Sequence, residues 1–139
     1  MHFEHSIEID APQQRVWDVL SDIEGWPSRI ETVESAEVLE GPLAQGARVR
    51  LRQPKLSAGT WDITTWQAPT FFEWMQKSLG ATIVAGHRVE PLGDARSHLT
   101  LTIEMGGLLG SIMGRFYADL TNRYMTIEAE GLKRAAEGQ

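Results

Sequence analysis

The feature that most constrains the fold is the last third of the chain, residues 106–136, where large apolar residues recur every three or four positions. The recurring residues are Leu109, Ile112, Met113, Phe116, Leu120, Tyr124 and Ile127. This spacing is typical of a helix with one buried face. About 25 helical residues would extend roughly 38 Å at 1.5 Å per residue, which is more than the diameter of a small domain. The pattern therefore predicts one long helix around which the rest of the chain folds.

The N-terminal part predicts one strand followed by two short helices. Apolar and polar residues alternate over residues 3–9, as in a strand with one solvated face. Pro12 suits the first turn of a helix, and residues 16–20 give that helix an apolar side. Residues 21–27 then indicate a break, a second short helical turn and another break.

Between residues 33 and 105 the period changes to two, which predicts six further strands. We place them at residues 33–40, 47–53, 60–66, 70–77, 81–90 and 97–105. Short turns containing glycine or proline separate them, which is typical of an antiparallel meander. A sheet curved around the helix has a concave face, for which we predict Val49, Trp61, Ile63, Phe72, Trp74, Val89, Leu101, Ile103 and Met105. The convex face should carry the basic row Arg48, Arg50, Arg52 and Lys55, which we interpret as solvated.

Composition excludes several classes of function. The chain has 139 residues, the size of one domain, and its net charge of −6 argues against nucleic acid as a partner. It has no cysteine, so disulfides, thiolate metal sites and cysteine nucleophiles are excluded. No signal peptide and no apolar run of about 20 residues is visible. We therefore expect one cytoplasmic domain over residues 1–139 without stable membrane insertion, either monomeric or dimeric.

Four sequence segments together resemble a known family. They are the opening Ile7–Pro27 with its I-x-I-D-A-P start, the segment Trp66–Trp74 with its F-F-E-W end, the run His87–Asp94, and the ending Gly131–Glu137. In this order they are similar to the START/polyketide-cyclase superfamily (SRPBCC), in its polyketide cyclase/dehydrase-like branch. The resemblance covers essentially the whole chain.

The resemblance implies an α+β helix-grip fold. In this fold a curved antiparallel sheet of about seven strands wraps around a long C-terminal helix, and two short helices follow the first strand. It also implies a deep apolar cavity between sheet and helix, roofed by the two short helices. Members bind lipids, sterols, polyketides or hormones, and a minority catalyse cyclisation, dehydration or ring oxygenation. The fold leaves the function open, and no catalytic motif is carried over.

The candidate ligand-binding residues combine the concave face with the helix stripe. They are Val49, Leu51, Trp61, Ile63, Phe72, Trp74, Gln76, His87, Val89, Leu101, Ile103, Met105, Ile112, Met113, Phe116, Leu120 and Tyr124. Period two places His87 on the same face as Val89, so its imidazole could orient a ligand or act as a general base. The alternative is a histidine that only completes a hydrogen bond near the end of the sheet. Gln53, Gln76 and Tyr124 are further polar candidates, which either face the cavity or lie half exposed at its rim.

We expect neither a metal nor a cofactor. His2 and His5 lie three apart on a strand and so point to opposite faces, which is unsuitable for one metal ion. The glycine-rich stretch 106–110 follows a strand and opens a helix, as a phosphate-binding loop does. It lacks the following parallel strand and the acidic partner, so a tight turn from sheet to helix is its expected role.

Two functions of different classes follow. The first is binding or transport of a hydrophobic small molecule (a lipid, polyketide or aromatic compound) without catalysis. The alternative is a cyclase or dehydratase-like enzyme that uses His87 and Tyr124 as acid–base groups. No nucleophile–base pair, metal cluster or cofactor fingerprint is visible, which favours binding. A protein adaptor would need an exposed apolar patch, which the sequence does not indicate.

Overall fold

The computed structural model describes residues 1–54, 59–78 and 80–138. In chain order, its elements are β1 (His2–Ile9), α1 (Gln13–Ser21), a 3₁₀ helix (Ile23–Ser28), β2 (Ser35–Glu40), β3 (Arg48–Arg52), β4 (Gly59–Gln67), β5 (Phe71–Ser78), β6 (Ala81–Pro91), β7 (Ser97–Gly106), α2 (Gly110–Phe116) and α3 (Ala118–Ala136). Over the described residues, seven strands form one sheet in the order β1-β7-β6-β5-β4-β3-β2. All neighbouring strands are antiparallel. The predicted helix-grip architecture is therefore confirmed.

The strand register follows the predicted alternation of apolar and polar residues. Phe72 pairs with His87 and Trp74 pairs with Ala85, and all four side chains are buried. Glu73 lies between them on the other face, where its carboxylate accepts a hydrogen bond of 2.9 Å from the Thr64 hydroxyl. A slip of one residue would have moved every side chain of β5 to the opposite face, so the predicted register of this strand is confirmed.

The arginine row of β3 faces outward and meets acidic neighbours. Arg50 lies opposite Glu37 on β2, and Arg48 lies opposite Asp62 on β4. The Arg48 guanidinium donates a 2.9 Å hydrogen bond to the Asp62 carboxylate. Such exposed pairs add little stability, but they show that this row is part of a mixed-charge surface. Lys55, the last member of the predicted row, lies outside the described residues.

The long C-terminal helix is interrupted at Tyr117, which corrects the prediction of one continuous helix. Tyr117 has φ −104° and ψ 16°, and it separates the seven-residue α2 from the 19-residue α3. Residues 106–109 form the turn from sheet to helix, where Gly107 takes a φ of +88°. The expected role of the glycine-rich stretch as a tight turn is therefore confirmed at Gly107.

The face that α2 presents to the protein is its glycine face, which corrects the predicted stripe. Ile112 and Phe116, predicted to face the sheet, are exposed instead. A Cβ at Gly110 would lie 3.0 Å from the Met105 backbone, and a Cβ at Gly114 would lie 2.5 Å from Met1 Sδ. Because the helix approaches the protein so closely on this side, it is rotated so that its large apolar residues point outward. The predicted stripe included only large apolar residues and no glycine, so it did not indicate this rotation.

The buried face of α3 is also shifted from the predicted stripe. Its buried side chains recur at helical spacing and are Thr121, Met125, Ala129, Leu132 and Ala136. The predicted residues Leu120, Tyr124 and Ile127 lie beside this stripe and are half-buried. At Gly131 the Arg29 carbonyl oxygen lies only 2.3 Å from an ideal Cβ position. The backbone after the 3₁₀ helix therefore packs directly on α3.

The core fills one end of the space between sheet and helices. Trp17 of α1 packs edge-on against Trp66 at 5.3 Å, and Trp26 of the 3₁₀ helix packs against Trp74 at 5.5 Å between ring centroids. The Trp26 indole donates a 2.9 Å hydrogen bond to the Leu20 carbonyl, so this buried ring has its polar group satisfied. The empty space lies on the other side of these rings, towards α2.

Candidate functional site

A cavity of about 810 Å³ lies between the concave face of the sheet and the two C-terminal helices. This volume falls within the roughly 300–1,000 Å³ of typical small-molecule sites. The exposed residues Asp62 and Lys77 contribute to its lining, so this end of the cavity is open to solvent. The buried His87 and the half-buried Glu128 lie at the opposite, more enclosed end.

The sheet contributes an aromatic wall. Trp61 and Trp74 line the cavity on β4 and β5, with ring centroids 5.6 Å apart and planes tilted by 33°. Leu101, Ile103 and Met105 continue the apolar surface along β7; all three also line the cavity. Alternation along each strand brings these side chains to one face. The wall thus offers flat rings and aliphatic side chains to a ligand.

The helix wall is built by residues spaced at three and four positions. Tyr117, Thr121, Tyr124 and Glu128 all line the cavity, and this spacing places them on one face of α3 and its preceding turn. Met113 adds a flexible apolar side chain from α2. The helix and its preceding turn therefore supply four oxygen-bearing side chains to a wall whose other members on this side are apolar.

His87 is enclosed by aromatic rings. It stacks on Phe72 with centroids 4.1 Å apart and planes 11° apart, and it meets Trp74 edge-on at 5.2 Å. Its Nδ1 lies 3.4 Å from the Phe72 carbonyl oxygen. A carbonyl can only accept, so the neutral ring carries its proton on Nδ1. The unprotonated Nε2 then faces Glu128, whose Oε2 lies 3.8 Å away.

Burial shifts both members of this pair towards their neutral forms. It lowers the pKa of His87 to about 3, with the hydrogen bond to Phe72 acting weakly in the other direction. Burial also raises the pKa of Glu128 to about 7. Near neutral pH the imidazole is therefore neutral, while the carboxyl group of Glu128 is close to half protonated. A carboxyl group poised in this way can either donate or accept a proton.

The gap between the two side chains has room for a ligand atom. Their 3.8 Å separation is longer than a hydrogen bond. A hydroxyl oxygen placed about 2.8 Å from both Nε2 of His87 and Oε2 of Glu128 would satisfy both groups. A hydroxyl group at the buried end of a ligand can therefore donate to Nε2 of His87 and accept from the protonated carboxyl group of Glu128, whereas a carbonyl oxygen can accept from Glu128 only.

Polar groups also lie towards the other end of the cavity. The Gln76 amide projects over Gly59, where a Cβ would lie 1.8 Å from Gln76 Nε2, so the missing side chain of Gly59 makes room for it. Gln53 also lines the cavity. The Tyr124 hydroxyl donates a hydrogen bond to the Pro54 carbonyl, joining α3 to the segment after β3.

The structure brings most of the predicted site residues together around this cavity. Those that line it are Leu51, Trp61, Trp74, Gln76, His87, Leu101, Ile103, Met105, Met113, Leu120 and Tyr124. Val49, Ile63, Phe72 and Val89 share the concave face but are buried in the core and do not line the cavity. Ile112 and Phe116 point into solvent on the outer side of α2, for the reason given above. Which of the lining residues bind a ligand stays a prediction.

The sequence analysis missed Glu128, the partner of His87. It also missed Ile83, Thr121 and Met125, which line the cavity as well. A signal for Glu128 was present, because it lies four residues after the candidate Tyr124 and so shares its helix face. Within the described residues, no group of three or more His, Asp or Glu side chains is placed to hold a metal ion.

In comparisons with known proteins, the chain matches one family model over nearly its whole length. The family model described as "Polyketide cyclase / dehydrase and lipid transport" matches residues 1–137. A Streptomyces halstedii protein provisionally named a polyketide cyclase is 45% identical over 51 residues. That alignment spans 37% of this chain and 44% of the relative, which is less than half of its length.

Solved structures share the fold across nearly the whole chain. The aromatase/cyclase Zhui from a Streptomyces species has a TM-score of 0.81 at 22% identity and covers 99% of this chain and 93% of its own. Norcoclaurine synthase from Thalictrum flavum, solved with dopamine and hydroxybenzaldehyde, has a TM-score of 0.78 at 14% identity, covering 100% and 88%. A START superfamily protein from Mycobacterium smegmatis scores 0.73 at 15% identity, covering 96% and 97%. At such identities these likenesses establish the fold alone.

Proposed function

Because the chain belongs to the polyketide cyclase/dehydrase and lipid transport family, we propose that its cavity binds a hydrophobic small molecule with a flat, aromatic or polyketide-like body. The observation that carries this proposal is the cavity of about 810 Å³ with Trp61 and Trp74 on one wall. Aromatic side chains contribute large contact areas and favour stacked or edge-on ring contacts. The proposed ligand has one polar end, which contacts His87 and Glu128.

The shape of the wall favours a flat ligand over a straight-chain lipid. Apolar burial alone contributes about 25 cal/mol per Å² and is tolerant of ligand shape. Paired tryptophan rings add a preference for flat molecules, and the buried polar pair adds a preference for an oxygen atom at one end. We therefore rank flat aromatic compounds with a hydroxyl or carbonyl group above saturated fatty acids. The plant synthase of the same fold, solved with dopamine and hydroxybenzaldehyde, supports this order.

A thermal-shift panel tests the proposal. We expect 2-naphthol and 1,4-naphthoquinone to raise the melting temperature more than decanoic acid does at equal concentration. A ligand present at 100 times its Kd should add about 2.7 kcal/mol to the free energy of unfolding. Replacing His87 by Phe should weaken binding of 2-naphthol, whose hydroxyl group can donate to Nε2, and leave binding of unsubstituted naphthalene largely unchanged. A panel in which none of these compounds shifts the melting temperature would contradict the proposal.

The second candidate function is acid–base catalysis on the bound molecule. The specific observation in its favour is Glu128, whose pKa is raised by burial to about 7 and whose carboxyl group faces the cavity beside His87. As a carboxylate, Glu128 could accept a proton from the carbon next to a ligand carbonyl. The same carboxyl group could then donate that proton to a β-hydroxyl, which leaves as water while the carbon–carbon double bond forms. This sequence is a dehydration that needs no further reactant.

Mass spectrometry of the ligand separates the two candidates. A β-hydroxy ketone with an aromatic ring, incubated with the protein, should lose one water molecule if the protein is a dehydratase. Turnover should then fall by about 10²–10⁴-fold in Glu128→Gln, which is the usual contribution of a positioned acid–base group. Glu128→Asp should retain part of the activity. Binding without any change of ligand mass, equal in wild type and Glu128→Gln, would leave binding alone as the function.

A further inference from the structure

The outward face of α2 and the turn before it carry an uncovered apolar patch. Its members are Leu108, Leu109, Ile112 and Phe116, and we call them the α2 apolar face. Leu108 is 92% exposed, Phe116 is 81% exposed and Ile112 is 63% exposed. Single exposed apolar residues are ordinary on protein surfaces, but contiguous patches mark contact sites.

This exposure is built into the fold. Gly110 and Gly114 hold the opposite side of α2 close to the Met105 backbone and the Met1 side chain, at distances that leave little space for a larger side chain. Rotating the helix to bury Ile112 would place a large side chain against the Met105 backbone, where even a Cβ is a tight fit. The protein therefore keeps small residues inside and large apolar residues outside, which is the reverse of the usual amphipathic arrangement.

The charge around the patch also differs from that of the whole chain. The net charge of the protein is −6, yet residues 105–118 contain one charged side chain, Arg115, and no carboxylate. An apolar face with a cationic side chain next to it is complementary to a partner that has an apolar interior and a neutral or negatively charged surface. A lipid bilayer has these properties.

The size of the patch argues against a second copy of the chain as its occupant. A stable protein interface needs roughly 20–30 residues on each side, whereas the α2 apolar face has four. Docking on a bilayer needs no complementary protein surface, and its strength scales with the apolar area that enters and with the attraction to anionic lipids. Among the described residues, no helix is long and apolar enough to cross a membrane, so the contact would be at the surface.

The patch is continuous with the cavity. Met113 and Tyr117 project from the same segment, and both line the cavity. We propose that the α2 apolar face docks on the surface of a lipid bilayer, with α2 lying between the membrane and the cavity. A hydrophobic molecule dissolved in the bilayer then reaches the cavity past Met113 and Tyr117 with little exposure to water. Docking itself does not depend on the identity of the proposed ligand.

Vesicle sedimentation tests the docking. We expect the wild-type protein to sediment with phosphatidylcholine vesicles, and more strongly with vesicles that also contain phosphatidylglycerol. Ile112→Ser combined with Phe116→Ser should weaken binding by about 100-fold, because each buried side chain of this size contributes about a factor of ten or more. Arg115→Gln should reduce only the additional binding to phosphatidylglycerol. Leu92→Ser is the matched control, since Leu92 is an exposed apolar residue on the β6–β7 turn.

A fluorescent label resolves which face makes the contact. The chain has no cysteine, so Ile112→Cys and the control Leu92→Cys each give one labelling site for an environment-sensitive dye. Vesicles should shift the emission to shorter wavelength at position 112 and not at position 92. Equal shifts at both positions, or no sedimentation of a wild-type protein with an intact melting transition, would overturn the proposal. The proposal would also be overturned if the wild-type protein dimerises, the double substitution abolishes the dimer, and vesicles have no effect. A second copy of the chain would then cover the α2 apolar face.

Discussion

At the scale of single residues, His87 and Glu128 respond to pH in opposite directions. His87 has a pKa lowered to about 3 from 6.5, so the unfolded chain binds an extra proton between these values and stability rises with pH there. Glu128 has a pKa raised to about 7 from 4.5, so the folded protein retains the proton longer and stability falls as pH rises from 4.5 to 7. Between about pH 4.5 and 6.5, the two residues therefore change the free energy of unfolding in opposite directions as pH rises.

Glu128→Gln should remove the contribution of Glu128 to the pH dependence of the free energy of unfolding. The difference in unfolding free energy between wild type and variant should fall as pH rises from 4.5 to 7, by up to about 1.4 kcal/mol per pH unit. It should be constant above that range. Urea denaturation at a series of pH values measures the difference. Glu130→Gln is the control, because Glu130 is an exposed residue of the same helix. A difference curve for Glu128→Gln that is flat, or that matches the control, would mean that the carboxyl group of Glu128 is not buried.

The two residues of this pair were not equally predictable from the sequence. Period two along β6 placed His87 on the concave face, because strand alternation needs only a correct register. Glu128 is one of several glutamates on a helix, and only the rotation of that helix distinguishes an inward carboxylate from a solvated one. Close contacts such as that of Gly131 help set this rotation, and apolar periodicity does not report them.

At the scale of elements, glycines determine how the C-terminal helices dock. Gly131 of α3 faces the Arg29 carbonyl, and Gly110 and Gly114 hold α2 close to the rest of the protein. The six strand boundaries between residues 33 and 105 were predicted to within two residues. The helix was predicted as one continuous element with the wrong inner face on α2, because glycine contributes nothing to an apolar stripe. Strand positions follow from local alternation, whereas helix rotation depends on contacts distant in sequence.

Gly131→Ala tests this close approach. An ideal Cβ at this position lies 2.3 Å from the Arg29 carbonyl oxygen and 3.2 Å from the Ile30 Cα. In an open helix, alanine would add about 1 kcal/mol of stability over glycine. Here we expect a net loss of about 1–3 kcal/mol in the free energy of unfolding, because the backbone of the facing segment must move. Thermal and urea denaturation measure the change.

Glu130→Ala is the adjacent control for that substitution. Its side chain is exposed on the same helix, so the expected change is within about 0.5 kcal/mol. A stabilised Gly131→Ala protein would show that α3 does not contact the segment after the 3₁₀ helix as described. The helix would then be free to adopt a different rotation, and Glu128 would lose its assigned position.

At the scale of the whole molecule, the space between the concave face of the sheet and the helices has two parts. Trp17, Trp26 and Phe72 belong to a solid core at the end covered by α1 and the 3₁₀ helix. The other end holds the cavity, bounded by α2 and the first turns of α3. The sequence and its family resemblance predicted a cavity between sheet and helix. They did not predict which concave residues would line it, because that depends on how far the short helices fill the space.

Titration of 2-naphthol into a protein with a filled cavity tests the account most directly. Ala85 lines the cavity beside Trp74, so Ala85→Phe should occupy part of the ligand's volume. Thr100→Phe is the control, because Thr100 lies on the other face of the sheet from the cavity-lining Leu101. By calorimetry, with circular dichroism to verify folding, we expect wild type and control to bind alike and Ala85→Phe to lose at least about tenfold in affinity. Unchanged affinity in a folded Ala85→Phe protein would contradict the assignment of this cavity as the binding site.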